Sequence, residues 1–347
     1  MLGFYILIVL LVLLSLRPHP RGFNPEYLDI STTNAVKGIF ILLVFIKHIT
    51  PYILKSGYVY EGWEGEMFRY INAHVGQWIV AMFLFYSGYG IMEAISKKGD
   101  AYINGIPRKR ILTVAVNFAI AVAVFAIVGA MLGRTYTIQH YLLSLIGWES
   151  VGNSNWYIFV IMLCYLITYV SFRMPSFVDI DNHYGSAIRC VILLSLAVLL
   201  LSFLKPGYWY DTMLCFGAGL LYSLSKGKVE GFARKHYWKA AGGLALLLVG
   251  TYYAPFHARG ITYNAFAIVF CLMTILLTMR CNINSRILTW CGTNLFPLYI
   301  YQRIPMIILA EVGHGKLVCT YPVLYIYICL TATILIALCY RYWAVKL

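Results

Sequence analysis

Lys37 and His48 stand eleven residues apart in an otherwise apolar run, Asn34 to Pro51, that reads NAVKGIFILLVFIKHITP. At about 1.5 Å of rise per residue, that step covers roughly 16 Å of helix axis. A basic group at one membrane face with an imidazole near mid-depth is a costly arrangement. Ionisable groups at such depth face a bundle interior or a wet cavity, and they read as functional. The sequence offers His48 no G-x-S-x-G nucleophile, no recognisable cysteine partner, and no H-x-x-x-H or H-E-x-x-H for a metal. Unaided, a neutral imidazole can act as general base on a hydroxyl or accept an acyl group itself. The competing structural reading is a histidine hydrogen-bonded within the bundle, with Lys47 reaching to the outer surface.

The elements that must position these residues are membrane helices. Hydrophobic residues make up 61% of the 347, far above the roughly 45–50% of a soluble domain. Apolar stretches repeatedly reach the roughly 17–25 residues that cross a bilayer. The expected fold class is an all-α polytopic transmembrane bundle of about eleven helices. The spans are placed near 2–16, 36–54, 77–96, 111–132, 155–172, 188–204, 208–223, 238–254, 260–279, 292–310 and 322–343. The short pair around Lys205-Pro206-Gly207 reads as a tight hairpin. Residues 1–29 form an N-terminal membrane helix with a proline-broken linker, and 30–347 form a ten-helix membrane domain. Leu2 to Leu16 has the length of a signal-peptide core but lacks a basic n-region. Its charges, Arg17 and Arg21, come afterwards, which favours a retained helix.

The formal net charge of +14 points to topology and not to nucleic acid. Lys97, Lys98, Arg108, Lys109 and Arg110 fall in the third connection, and Lys226, Lys228, Arg234 and Lys235 in the seventh. By the positive-inside rule these connections are cytoplasmic, which puts the N-terminus outside and the C-terminus inside the cell membrane. Lys37 then lies at the cytoplasmic face, and Arg108, Lys109 and Arg110 share that face, where basic side chains could meet donor phosphates. Ser87, midway along the third span, serves either close helix packing or a polar role. Glu93 is either a solvated terminus residue or a partner for Lys37. The connections near 55–76 and 133–154 are rich in Tyr, Trp and Gly. They read as an interfacial belt or as surfaces that stack on sugar rings. The nine cysteines carry no C-x-x-C pair and read as small buried hydrophobes. No metal site is expected.

These residues resemble the membrane acyltransferase family 3. Lys37, ten residues and His48 are similar to its R/K-ten-H motif. VGQWIVAMFLFYSGYGI resembles its next core helix, and NSNWYIFVIMLCYL, WYDTMLCFGAGLLY and LTWCGTNLFPLYIYQRIPM follow in the family's order. The resemblance implies transfer of an acyl group, usually acetyl from acetyl-CoA, to a hydroxyl of a saccharide or glycolipid acceptor of the envelope or exported from the cell. It implies His48 as the catalytic histidine, and Lys37 as a residue holding the donor or the site. Ser87, Glu93, Asn155, Trp156 and Arg303 stand beside them as expected substrate or supporting residues, with acetyl-CoA a co-substrate and no permanently bound cofactor. Asn34 stands where many members carry Asp, and Gln302 where many carry His. PRKR shows no clear R-x-x-R pair, and no appended esterase-like domain is expected, so the chain relies on its own core or on a partner. The expected surroundings are membrane lipids, with a homo-oligomer or a polysaccharide-machinery partner left open. The rival readings are a glycan or lipid-linked intermediate flippase, with His48 and Arg303 lining the pathway, and a structural subunit of a polysaccharide machine.

Overall fold

The computed structural model describes residues 1–19, 22–174, 183–252 and 260–346, with the side chains of 313 and 314 excepted. Arg21 lies outside the described residues, as do the last two positions of the span expected at 238–254.

Among the described residues seven helices are long and apolar enough to cross a membrane: Ile30–Lys55, Gln77–Lys98, Asp100–Met131, Trp156–Arg173, Tyr184–Leu204, Ile261–Thr278 and Pro322–Tyr340. This is an all-α, multi-pass membrane bundle. Its outward faces carry Leu199, Leu200, Phe203, Leu246 and Leu247 in the open, as expected where lipid rather than water is the solvent. The other expected spans are also helical but depart in length or continuity. Leu2–Ser15 (α1) has only 14 residues. It is tied down by Tyr5, whose hydroxyl donates to Asn72 Oδ1 at 3.2 Å, and by the strand Leu16–Pro18, which pairs antiparallel with Cys281–Ile283.

Residues 214–223 of the span expected at 208–223 and 238–252 of that expected at 238–254 belong to one helical stretch, Leu214–Tyr252, whose backbone leaves helical geometry at His236 (φ −132°, ψ 36°), while 208–213 lie ahead of it in a 3-10 turn and loop. The basic residues expected in a loop there, Lys226, Lys228, Arg234 and Lys235, therefore sit on helix. Lys and Glu are good helix formers, and Lys226 and Glu230 pair four residues apart at 4.0 Å. Likewise Arg108, Lys109 and Arg110 belong to a π-helical turn, Pro107–Leu112, within Asp100–Met131. The span expected at 292–310 is broken into Arg286–Thr293, Leu295–Tyr301 and Arg303–Glu311.

Ile30–Lys55 (α2), which carries Lys37 and His48, packs backbone against backbone on Arg286–Thr293. A Cβ on Gly38 would collide with the Leu288 carbonyl, and a Cβ on Gly292 with the Asn34 carbonyl. The helix Ala81–Lys98 (α4) meets Leu214–Tyr252 through a second reciprocal pair, Gly88 against the Phe216 carbonyl and Gly219 against the Phe85 carbonyl. Small residues at these crossings replace the hydrophobic drive that lipid does not supply. Gly90, two residues on, meets nothing within 4 Å.

The two glycines of α4 therefore separate by sign. Gly88→Ala should destabilise the bundle by about 1–3 kcal/mol or more through overpacking. Gly90→Ala should leave stability unchanged or raise it by up to about 1 kcal/mol through helix propensity. Thermal unfolding of both variants in detergent reads the difference.

Candidate functional site

On an α-helix an eleven-residue step is three turns within about 20°, so Lys37 and His48 lie on one face of α2. Each opens into a chamber of its own. His48 lines a cavity of about 500 Å³ shared with Lys47, Gln77, Ser150, Asn153, Ser154, Asn155, Trp156, Tyr208, Tyr263, Tyr299 and Arg303. Lys37 lines a second cavity of about 360 Å³ with Asn34, Ser87, Tyr157, Tyr165, Thr293 and Tyr299. It also lines an adjoining one of about 220 Å³ with Ser87, Tyr165 and Arg110. Tyr299 is common to the His48 cavity and the larger Lys37 cavity. Its ring stands 5.8 Å from the His48 ring and 5.4 Å from the Tyr157 ring. The two chambers thus meet at one aromatic wall.

Gln302, whose own backbone is helical (φ −57°, ψ −28°), faces His48. The Gln302 Nε2 donates to His48 Nδ1 at 3.0 Å and to the Tyr299 carbonyl at 2.9 Å. An amide nitrogen can only donate, so His48 Nδ1 accepts, and a neutral ring then carries its proton on Nε2. Turning the amide over would set its oxygen against the Tyr299 carbonyl, so the backbone favours the orientation seen. Gln302 is fully buried and its Oε1 has no partner.

The wall opposite α2 comes from the turn ahead of Trp156–Arg173 and is held by its own polar side chains. Asn155 Nδ2 donates to the Gly147 and Glu149 carbonyls at 2.8 and 3.1 Å. Ser150 Oγ donates to the Asn153 carbonyl at 2.7 Å, and Asn153 Oδ1 accepts from the Val151 amide at 3.1 Å. Lys205 clamps the turn from outside. Its ammonium lies 4.0 Å from the Trp148 ring centre and 4.6 Å from that of Trp209, and donates to the Trp148 carbonyl at 2.9 Å.

Of the residues singled out in the sequence, Lys37, Ser87 and Arg110 come together, and His48, Asn155, Trp156 and Arg303 come together at the other chamber. Arg110 Nε donates to the Tyr102 hydroxyl at 3.1 Å. Arg108, Lys109 and Arg110 are all exposed, and of the three only Arg110 lines one of these cavities. Glu93 also stays away from Lys37. It accepts from Ser223 Oγ at 2.8 Å and pairs with Lys97 at 3.7 Å. Lys47, half-buried, donates to the carbonyl of Asn72 in the 55–76 connection and also lines the His48 chamber. Sequence reasoning missed Gln302 as the histidine's partner, Tyr299 as the shared wall, and the contact of Asn34 Nδ2 with Thr293 Oγ1 at 3.1 Å. The polar run Asn153-Ser154-Asn155 was a usable signal, whereas Tyr299 carried none in a helix of aromatic residues. All nine cysteines are free. Among the described residues no group of three or more His, Cys, Asp or Glu is placed to hold a metal.

A family model described as an acyltransferase domain matches residues 30–342. No curated protein and no solved structure matches the chain.

The hydrogen bonds at His48 carry a direct test. In ¹⁵N-histidine-labelled protein, His48 should show a proton-bearing Nε2 and a bare Nδ1 at neutral pH. Gln302→Leu should release that preference into a mixture of tautomers. A proton-bearing Nδ1 in the unaltered protein would refute the assignment.

Proposed function

This chain belongs to acyltransferase family 3, and from that premise we propose that it is a membrane O-acyltransferase. In this reading it moves an acyl group, acetyl foremost, from acyl-CoA to a hydroxyl of an envelope or exported saccharide. The observation that carries the proposal is the pair of chambers on one face of α2, meeting at Tyr299. The donor's phosphates would lie with Lys37 and Arg110, and its thioester would reach the Tyr299 wall. The acceptor would enter the His48 chamber. The distribution of basic residues supports a cytoplasmic Lys37 side, with the N-terminus outside and the C-terminus inside the cell membrane.

The acceptor oxygen would attack the thioester carbonyl carbon. The C–O bond forms as the C–S bond breaks, and the hydroxyl proton passes through His48 to the departing thiolate. For that His48 must take a proton on Nε2, the nitrogen that carries one while Nδ1 accepts from Gln302. Turning the Gln302 amide so that Oε1 receives an Nδ1 proton supplies the reactive tautomer. Losing the hydrogen bond to the Tyr299 carbonyl costs about 1–3 kcal/mol. Positioned base catalysis contributes about 10²–10⁴-fold, or roughly 3–5 kcal/mol, so the switch is affordable. An acyl-imidazole route needs the same bare Nε2 and is subject to the same requirement.

The residues divide by what their loss would do. His48→Gln should fold and insert normally yet lose about 10²–10⁴-fold in acyl transfer, read as acyl-CoA turnover with a saccharide acceptor in membranes matched for protein. Retention of most activity would remove the catalytic assignment. At the donor end, Lys37→Ala and Arg110→Gln should each raise the acyl-CoA concentration needed for half-maximal rate, with a smaller loss at saturation. Arg108→Gln and Lys109→Gln, whose side chains lie outside the cavities, should change it little. Equal effects at all three arginine and lysine positions of the π-turn would mean that they act through topology alone.

A further inference from the structure

The His48 chamber contains two cations, Lys47 and Arg303, and no Asp or Glu among its lining residues. Arg303 has no ion-pair partner among the described residues, and its Nε is buried without a hydrogen bond. Lys47 gives a hydrogen bond to one backbone carbonyl and meets no carboxylate. Other cations of the chain do find carboxylates, including Arg134 with Glu311, Lys205 with Glu149 and Lys226 with Glu230. Arg303 is half-buried at the cavity wall, and a guanidinium whose Nε is withdrawn from water with no counter-charge favours a ligand that supplies one. A donor's phosphates at Lys37 would lie in the other chamber, since Lys37 is roughly 16 Å along α2 from His48, whose cavity Arg303 lines. The remaining surface suits a sugar, with Trp156, Tyr208 and Tyr263 offering ring faces and Asn153 an amide.

Resting on the acyltransferase reading above, we propose that the acceptor is an anionic saccharide. Its carboxylate or phosphate group pairs with Arg303, with Lys47 as a second cation, and this holds a neighbouring hydroxyl against His48. The planar fork of arginine matches both anions in a bidentate geometry that a neutral hydroxyl cannot use. A transient role for Arg303 on the thioester oxygen during transfer would leave the resting acceptor unbiased by charge, so binding and turnover separate the two.

The experiment is acceptor binding, without donor, to the full chain in nanodiscs of zwitterionic lipid, followed by tryptophan fluorescence. Three oligosaccharides of equal length serve as probes: one of uronic acid, one bearing a phosphate, and one neutral. At least one anionic probe should bind about tenfold or more tightly than the neutral one. That preference should shrink as salt rises. Arg303→Gln should remove most of the preference, leaving only what Lys47 supplies, with neutral binding unchanged, while Arg303→Lys, which keeps the charge and loses the fork, should retain more of it. The tighter of the two anionic probes names the group. The proposal is overturned if neither anionic probe outbinds the neutral one, or if Arg303→Gln weakens neutral and anionic binding equally. It is also overturned if Arg303→Gln lowers turnover while the anionic preference persists undiminished. His48→Gln, measured alongside, should bind the probes as the unaltered chain does. An anionic preference that survives in a protein with no acyl-CoA turnover would leave the site standing and remove the acyltransferase reading alone.

Discussion

The backbone contact between α2 and Arg286–Thr293 sets the position of everything that follows it in the chain. Gly38 and Gly292 remove two Cβ atoms where each would strike a carbonyl of the other helix. With the axes that close, Asn34 reaches Thr293 at 3.1 Å. The chain then turns at Asn294 and stays beside α2. Tyr299, Gln302 and Arg303 are thereby delivered to the face that carries His48. A side chain at either glycine would move the partner wall of the chamber as well as loosen a helix pair. Lipid offers these helices no hydrophobic reward for associating, so dispersion across a close contact has to hold them.

The same contact governs the electrostatics. Cations at Lys37, Lys47 and Arg303 are costly in a low-dielectric bundle. They are retained on the inward face of the central helix and on the broken segment opposed to it, each beside a cavity. Among the described residues no carboxylate neutralises any of the three, although Glu93 lies on the neighbouring helix α4. Glu93 is instead held by Ser223 and Lys97. Unpaired charge at both ends of one helical face is the arrangement expected of a protein that receives two charged ligands from two directions. A carboxylate added to either chamber would make the resting protein more comfortable and the ligand less welcome.

Much of this was legible in the sequence, for reasons of local periodicity. The apolar segments, the three-turn spacing of Lys37 and His48, and the basic π-turn region all depend on residues within one helix of each other. The parts that were not legible depend on distance or on continuity. Gln302 lies 254 residues from His48, and no short-range pattern links them. The seventh connection read as a loop because its charges were counted and its helix propensity was not. Lys, Glu and Ala carry the helix through 226–235 despite Gly227 and Gly231. Arg108, Lys109 and Arg110 looked equivalent as a basic cluster, yet helical geometry gives neighbouring residues different directions, and Arg110 alone of the three reaches a chamber with Lys37.

The histidine shows why the position of one proton matters more here than the identity of the residue. His48 and a neutral amide make a pair in which the amide decides which ring nitrogen is bare. A carboxylate partner would fix an Nδ1 proton permanently and leave Nε2 ready as a base. Gln302 can do either, since it carries a donor and an acceptor on one rotatable group. Its orientation here is set by the Tyr299 carbonyl, and Tyr299 is also the wall between the chambers. In the acyl transfer proposed above, the ring nitrogen that His48 offers would therefore depend on the Tyr299 backbone as well as on the histidine itself.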